Sequence, residues 1–505
     1  MPAPPYFTAD DAHAGRPESS RAPSFGDVLP PAPPAVSAPS RSRHGRTVAI
    51  LGTVLAVLAA GGGVGAYRVM AHHGTAGVEA LAPSSAFSFI KLDLSPGGSA
   101  EADALAFANH VPGSPGFKNA VELRDTIVRR SLGTYASEYD AMVKPWLGDE
   151  IAAGAFVSAG TSQGFTLVRV TDAAKAAQAM KALAALPSRG RDTNRLAYRV
   201  TDGFLVLAES QAVVDDLITQ AHRQSLAKQA TYTADMASVG SGQILVGWVD
   251  LAKTTSLLEQ QAAVEPGAAT LLQGLDVSTP RGRLVFVGSV HPTSIDLDAR
   301  VLGAPASQWS LANLNDLLGR LPSDSQFAFA VAGADRLLES VFTGFTKSPL
   351  GATFLGNELN DLEAETGLRL PDDLYALVGS ELAVGASEGG PSGESEFTVL
   401  TKPKNPAAAA RVATLLQGLA EAAGQRLRVT NGSPLVITTH EGDGGVLRDD
   451  PTYVAAMEGM PAQVAAAGYA TISESRNAPV IGGLGFYVTA SKGSTPIAHL
   501  RFIIR

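Results

Sequence analysis

Two serines lie in the pattern Gly-x-Ser-x-Gly: Ser162 within residues 160–164 and Ser387 within residues 385–389. In α/β-hydrolases this pattern holds the serine on a sharp turn between a strand and a helix, above an oxyanion hole. The first motif lies between two apolar runs that we predict to be strands, so the required helix is missing. We therefore interpret both motifs as hairpin loops and predict no catalytic residue in the chain.

Other patterns with chemical meaning are incomplete. Ser225 and Lys228 fit Ser-x-x-Lys, but the Ser-x-Asn element of penicillin-binding proteins does not follow. Asp443, Asp449 and Asp450 lie in a Gly-rich stretch without the EF-hand spacing, so a solvated turn is favoured over a calcium site. The nine histidines include no His-Glu-x-x-His motif and no helical pair. With no phosphate-binding glycine loop either, we predict no metal and no cofactor.

Trp146 is one of only three tryptophans. Aromatic side chains often anchor interfaces, which makes Trp146 a candidate contact for a sugar or a protein partner. The alternative is a core residue held between Pro145 and the strand that follows. We favour the core, because tryptophan is mostly buried in folded proteins.

Apolar runs and turn residues predict a sheet of hairpins. Residues 87–94 alternate as a strand does, and residues 151–158 and 165–170 flank a Gly/Ser-rich loop. Residues 196–201 and 204–208 flank Asp202-Gly203, a pair that tolerates positive φ in a tight hairpin turn. Asn431-Gly432 is predicted to form an equivalent hairpin turn.

Helix caps divide the strands into groups. Candidate caps precede three alanine-rich or amphipathic stretches: Thr171 or Asp172 for the first, Ser210 for the second and Asn405 for the third, with Pro406 at the first helical position of the third. Gly424 follows the predicted end of that last helix. Single helices between hairpins indicate an α+β fold, with an antiparallel sheet and helices on one face.

Five segments recur in the same order with offsets of 221 to 240 residues, which indicates an internal duplication. The first copy spans residues 81–302 and the second spans residues 321–505, with a linker at 303–320. The recurring pairs begin at residues 81 and 321, 147 and 378, 165 and 397, 199 and 428, and 231 and 452.

Residues 47–67 form an uncharged stretch of 21 residues. As a helix it would be about 31 Å long, close to the hydrocarbon thickness of a bilayer. Three arginines precede it and one follows, which predicts a single-pass anchor with the N-terminus in the cytoplasm. Gly61 and Gly65 form a Gly-x-x-x-Gly motif, a candidate contact for a homodimer of this helix.

The flanking segments differ in composition. Residues 1–46 contain 10 of the 31 prolines and are predicted to be a disordered tail, and residues 68–80 are predicted to be a stalk. Residues 68–505 keep 34 of the 39 basic and 44 of the 48 acidic residues, a net charge of −10. This acidity argues against a nucleic-acid partner. The chain has no cysteine, so no disulfide holds the fold.

The sequence Lys144-Pro145-Trp146-Leu147-Gly148-Asp149, with Leu92-Asp93-Leu94-Ser95-Pro96 before it, resembles a family of actinobacterial membrane-anchored proteins known as a domain of unknown function. The resemblance covers residues 47–505. The second copy departs from it, since it lacks the Pro-Trp pair and Leu377 and Val378 follow Ala376 there. The resemblance implies one membrane span and carries no catalytic residue.

Together these observations predict two tandem α+β repeats of antiparallel sheet with helices on one face, preceded by one transmembrane helix. The predicted function is a membrane-anchored, extracytoplasmic binding or scaffolding protein of the plasma membrane and cell envelope, with an envelope protein or polymer as partner. The alternative is an envelope hydrolase with an unrecognised active site, and a cleft holding acid, base and nucleophile together would distinguish it.

Overall fold

The computed structural model describes residues 77–95, 97–185, 197–239, 243–262, 282–303, 309–347, 363–364, 366–387, 395–440, 444–471, 481–490 and 496–504. All of them lie within one compact unit, Thr47–Arg505. The predicted tail at 1–46, the predicted membrane span at 47–67 and Gly61 and Gly65 lie outside the described residues.

The described chain forms one antiparallel sheet of sixteen strands. The strands are β1 Ser88–Asp93, β2 Leu147–Ser158, β3 Thr161–Val170, β4 Ala197–Thr201, β5 Phe204–Ala208, β6 Leu245–Asp250, β7 Arg283–His291, β8 Ser294–Leu302, β9 Phe327–Ala332, β10 Glu381–Ser387, β11 Glu396–Lys402, β12 Arg428–Thr430, β13 Leu435–Thr438, β14 Ala466–Thr471, β15 Ile481–Thr489 and β16 Ile497–Ile504.

The sheet has two halves that meet at its centre. Outward from the centre, the first half reads β8, β7, β6, β1, β2, β3, β5, β4, and the second half reads β16, β15, β14, β9, β10, β11, β13, β12. The order is the same when eight is added to each strand number of the first half. Each position in the first half therefore has a counterpart in the second that can be read from the pairing registers.

Strands β8 and β16 join the two halves. They pair antiparallel from Ile497↔Arg300 to Ile503↔Ser294. Within this ladder Arg501 lies opposite Asp296 and binds both of its carboxylate oxygens, at 2.8 and 2.7 Å. Pairing satisfies the backbone groups that two free edges would expose, and opposite charges across the strands add to it.

Eleven α-helices accompany the sheet in the described residues, together with short 3₁₀ and π turns. They are α1 Gly98–His110, α2 Ala120–Ser131, α3 Ala173–Ala185, α4 Gln211–Arg223, α5 Ala230–Val239, α6 Leu251–Ala262, α7 Leu314–Leu318, α8 Ala334–Lys347, α9 Asp372–Val378, α10 Pro406–Ala422 and α11 Pro451–Ala456.

The predicted fold class is wrong in its arrangement. The two predicted tandem repeats are joined in a single sheet, because β8 and β16 pair across the centre. The prediction also included one transmembrane helix. None of the described helices is long and apolar enough to span a bilayer.

Helices lie on both faces of the sheet rather than on one. Phe204 and Val206 of β5 pack in a core cluster with residues of α4. Leu205, between them, packs in another cluster with Ala176 of α3. Neighbouring strand residues point to opposite faces, so this continuous apolar run needs cover on both sides. In the second half, Leu435 and Ile437 pack in a cluster with residues of α10, which covers one face of the sheet there.

Local predictions mostly agree with the structure. Asp172, Ser210 and Asn405 accept hydrogen bonds from backbone N–H groups in the first turns of α3, α4 and α10. Asp202 and Gly203 have φ of 52° and 80° and connect Thr201 to Phe204, as predicted for the tight turn.

Two predicted loops differ from the observed ones. The loop predicted at residues 159–164 is only the turn Ala159-Gly160, since Ser158 pairs with Thr161. Asn431-Gly432 belongs to a longer loop, because Thr430 pairs with Val436. A glycine after Asn indicates a turn but does not set the number of residues around it.

Candidate functional site

In the first half, helix α4 covers one face of the outer strands. Val214, Leu217 and Ile218 of α4 pack in one core cluster with Phe165, Leu167, Val206 and Ala208 of β3 and β5. Ser210 caps the helix, and the hydroxyl of Ser85 donates to Gln220 at 2.5 Å. The helix is thus held at both ends by polar side chains and along its length by apolar ones.

The second half has no room for a counterpart of α4. In the first half, sixteen residues separate the end of β5 at Ala208 from Ser225, which pairs with Pro83. In the second half, seven residues separate the end of β13 at Thr438 from Val446, which pairs with Pro322. Helix α4 alone has 13 residues, so this chain segment is too short for it.

A cleft of about 500 Å³ lies where α4 would be. Its strand residues Thr398, Leu400, Val436 and Thr438 are the register counterparts of Phe165, Leu167, Val206 and Ala208. The face is also more polar than its covered counterpart. The remaining lining residues are Arg320, Pro322, Arg428, Thr430, Asn431, Gly432, Ser433, Pro434, His440, Gly444, Gly445 and Val446.

A charged cluster lies at the end of this cleft where His440 borders it. Asp324, Glu396 and His440 come from the loop before β9, the start of β11 and the segment after β13. His440 Nδ1 is 2.5 Å from a carboxylate oxygen of Glu396 and 3.8 Å from one of Asp324. All three ligand-type atoms lie within 4.8 Å of one another. Glu396 and His440 are buried, whereas Asp324 is exposed.

The counterparts of these three residues are neutral. Two residues after β5 comes Ser210, as His440 comes two residues after β13. Gln163 precedes Phe165 as Glu396 precedes Thr398, and Ser85 follows Pro83 as Asp324 follows Pro322. Ser85 and Ser210 hold helix α4 in the first half. In the second half, where the described residues include no counterpart of α4, the three equivalent positions carry ionisable side chains instead.

Two arginines supply positive charge along the cleft. Arg320 forms an ion pair with Asp316 at 3.0 Å. The guanidinium of Arg428 donates to the backbone carbonyl of His440, a neutral acceptor. The floor carries Thr398 and Thr438, whose hydroxyls are 2.7 Å apart. The arrangement offers hydrogen-bond donors and positive charge on one side and a carboxylate–imidazole group at one end.

A second buried charged group lies in the first half. Lys91 Nζ is 2.5 Å from Glu79 and 3.9 Å from Glu150. Asp93, two residues further on the same strand, is also buried. Burial raises the pKa of Asp93 to about 6, and the charges of Asp149 and Glu150 add to this, against the hydrogen bond from the Ser95 N–H.

Of the motifs singled out in the sequence, Ser387 pairs with Glu396 of the charged cluster across β10 and β11. Trp146 is buried in a core cluster with Leu147 and Val168, and its indole N–H donates to the carbonyl of Met142. Its burial favours the core alternative over a partner contact. Ser162 lies in β3 directly after a hairpin turn, which is not a nucleophile elbow.

The remaining motif residues have structural roles or lie outside the described part. Ser387 is the buried last residue of β10. Ser225 is buried and pairs with Pro83, next to a 3₁₀ turn that includes Lys228. Asp450 caps α11 through the Tyr453 N–H at 2.7 Å. Asp443 lies outside the described residues.

Sequence reasoning missed the cluster of Asp324, Glu396 and His440. The three residues are separated by 72 and 44 positions, so no local spacing connects them. The available signal was the comparison of the two halves. The shorter segment after β13 and the charged residues that replace Ser85, Gln163 and Ser210 both mark this end of the molecule.

The fold and site define an antiparallel-sheet protein whose second half carries an open polar cleft. The family described as "Protein of unknown function (DUF3352)" matches residues 161–433, more than half of the 505 residues. The chain belongs to this family. The match starts after the Lys144–Asp149 motif, so the actinobacterial source and that signature stay predictions.

Comparison with solved structures finds a likeness to a protein described as crystal form I of TP0453. It is 6% identical, covers 46% of this chain and 82% of that one, and has a TM-score of 0.23. A likeness at this score bears on neither the fold nor the function. No curated protein matches the sequence.

Proposed function

We propose that this protein is a membrane-anchored, extracytoplasmic binding or scaffolding protein of the cell envelope, and that the cleft in its second half holds the ligand. One observation carries the proposal. The strand face that α4 covers in the first half has no such helix among the described residues of the second half, and a cleft of about 500 Å³ lies there. Ligand pockets of proteins typically have volumes of roughly 300–1,000 Å³.

The lining indicates the chemistry of the ligand. Arg320 and Arg428 border the cleft, and Thr398, Thr430 and Thr438 add hydroxyl groups. Among the described lining residues there is no phenylalanine, tyrosine or tryptophan on which a sugar ring would stack. Arginine is suited to carboxylate and phosphate groups because its guanidinium donates two parallel hydrogen bonds. The ligand that fits best is an acidic segment of an envelope polymer.

The location outside the membrane is inferred from the sequence. The uncharged stretch at 47–67 has three arginines before it and one after it, and these residues lie outside the described part of the chain. Positive residues are enriched on the cytoplasmic side of a membrane segment. An extracytoplasmic body would meet wall and envelope polymers directly.

Filling the cleft tests the proposal. Thr398→Phe restores the aromatic ring of its counterpart Phe165, and Thr430→Phe places a ring on the exposed strand β12. The purified full chain, in detergent, is mixed with isolated insoluble cell-wall polymer and sedimented. The wild type is expected to sediment with the polymer, and each variant is expected to lose at least about tenfold in affinity, or 1.4 kcal/mol.

The matched control is Thr414→Phe, a ring added at an exposed position on α10, which should sediment as the wild type does. Thermal unfolding of each variant shows whether the fold is kept. If both cleft variants are folded and bind as the wild type does, the cleft is not the ligand site. If the wild type releases soluble fragments from the polymer, the hydrolase alternative replaces the binding function.

A further inference from the structure

We infer that Asp324, Glu396 and His440 form a binding site for a divalent metal ion, with zinc as the ion that the ligand set suits best. The inference goes beyond the proposed binding function, because it rests on three side chains whose geometry does not depend on any ligand in the cleft. The site would be held by the loop before β9, by β11 and by the segment after β13.

The distances among the three side chains are close to those of a zinc site. Zinc is bound by histidine nitrogen at about 2.0–2.1 Å and by carboxylate oxygen at about 2.0–2.2 Å, so ligand atoms around it stand roughly 3–3.5 Å apart. Here the separations from His440 Nδ1 are 2.5 Å to Glu396 and 3.8 Å to Asp324, and all three atoms lie within 4.8 Å. Small side-chain rotations bring all three to coordination distance.

The charges of the cluster support it next. Two carboxylates face one imidazole, so the cluster is negative even when His440 is protonated. Within the described residues, the ion pairs of Asp324 and Glu396 are both with His440. Arg428 reaches the backbone carbonyl of His440 rather than either carboxylate. A buried carboxylate needs a counter-charge, and a divalent cation supplies it.

His440 provides a separate observation. Only 9% of the residue is exposed, and its Nε2 is buried with no hydrogen-bond partner in the described structure. Burial without a partner costs free energy unless the ring gains elsewhere. The polar contacts of the ring in the described structure are therefore those of Nδ1, the atom that lies near both carboxylates. A histidine–glutamate hydrogen bond alone would account for two residues of the cluster, but it leaves Asp324 without a role.

The three ligand positions also differ in charge between the two halves of the sheet. Their counterparts Ser85, Gln163 and Ser210 have no charge, and two of them hold α4. All three positions are charged in the half that lacks the helix. Imidazole together with carboxylates is a ligand set found at zinc sites, and three protein ligands leave a fourth position open.

Zinc titration tests the site directly. The purified full chain is freed of metal with a chelator and titrated with zinc chloride in a calorimeter. The wild type is expected to bind one zinc ion per chain at this site. Glu396→Gln and His440→Gln should each lower the affinity at least about tenfold, since even partners one step removed from a metal cost 10–100-fold.

Asp324→Asn keeps the test independent of folding, because Asp324 is exposed and its change leaves the buried pair intact. It should lower the affinity as well. The first control is His222→Gln, which breaks an exposed histidine–aspartate pair of 2.8 Å with Asp202. The second is the double variant His72→Gln and His73→Gln, which removes two adjacent histidines near the predicted membrane span. Both controls should bind zinc as the wild type does.

Three results would overturn the inference. They are no saturable zinc binding by the wild type, unchanged binding by folded Asp324→Asn and Glu396→Gln, and loss of binding in the His72/His73 variant. Thr398→Phe, which tests the cleft, should keep full zinc binding. The metal site and the ligand cleft can therefore fail separately.

Discussion

Asp93 is a carboxyl group whose neutral, protonated form is favoured by the folded structure. It is buried on β1 beside Asp149 and Glu150, and burial raises its pKa to about 6. Lys91 on the same strand binds Glu79 rather than Asp93. An unfolded aspartate titrates near 3.9, so the folded state binds a proton more tightly than the unfolded state does.

The sign of the pH dependence follows from this difference. The contribution of protonated Asp93 to stability is fully present below about pH 4 and is lost as pH rises through about 6. Asp93→Asn keeps an acceptor for the Ser95 N–H and removes the charge. We expect the variant to unfold at a higher temperature than the wild type at pH 7, with the gap closing towards pH 4.

Asp172→Asn is the control for this measurement. Hydrogen bonds from the Lys175 backbone N–H and side chain lower the pKa of Asp172, so its charged form favours the folded state. This variant should be no more stable than the wild type at pH 7. A gap for Asp93→Asn that is constant from pH 4 to 8, measured by thermal unfolding, would show that the pKa of Asp93 is not raised.

Local chemistry explains which residues could be assigned from the sequence. Asp172, Ser210 and Asn405 cap helices through N–H groups three residues away, and Asp202-Gly203 forms its own turn. The cluster of Asp324, Glu396 and His440 is assembled by strand pairing over long separations. A scan for adjacent ligands does not detect such a site, whereas a comparison of paired positions in the two halves does.

Among the strands and helices, the burial of both faces of β5 could not be read from the sequence pattern. Phe204, Leu205 and Val206 are consecutive, and a short apolar run of this kind does not say which elements cover it. The pairing of β8 with β16 was equally hidden, because Asp296 and Arg501 are separated by 205 residues. Period and turns define single hairpins, while long-range pairing defines how the hairpins join.

The β8–β16 pair makes Arg501 important for stability. Arg501 holds Asp296, which is 6% exposed, through two hydrogen bonds. Arg501→Met should cost about 3 kcal/mol in the free energy of unfolding, because in the described structure it leaves a buried carboxylate with two histidines nearby, His291 at 3.3 Å and His499 at 4.0 Å, and no arginine or lysine. Denaturant unfolding of the full chain measures this. Replacing Asp296 with leucine in the same variant should recover much of the loss.

The exposed pair of Arg199 and Asp215 supplies the comparison. Its side chains are 47% and 46% exposed, so Arg199→Met should cost less than about 1 kcal/mol. Equal losses for Arg501→Met and Arg199→Met would mean that the central pair contributes nothing special to the joining of the two halves.

For the whole molecule, the proposed location makes a clear prediction. Protease added to intact spheroplasts is expected to digest residues 81–505 and to spare residues 1–46, because the arginines before residue 47 favour a cytoplasmic N-terminus. Antibody to tags at the two ends reads out the result. Permeabilised cells, in which both ends become accessible, are the control, and protection of the C-terminal tag in intact spheroplasts would contradict the proposed location.

The order of strands in the sheet also determines which fragments of the chain can be expressed without leaving strand edges unpaired. The segment that matches the family, residues 161–433, begins at β3 and ends before β13. Expressed alone, this segment would lack β16, the neighbour of β8, and would also lack β13, β14 and β15. Strand β10 would keep both of its neighbours, β9 and β11. Bare strand edges recruit other strands. Such a fragment is a template for aggregation, so expression trials should keep β1 through β16 on one polypeptide.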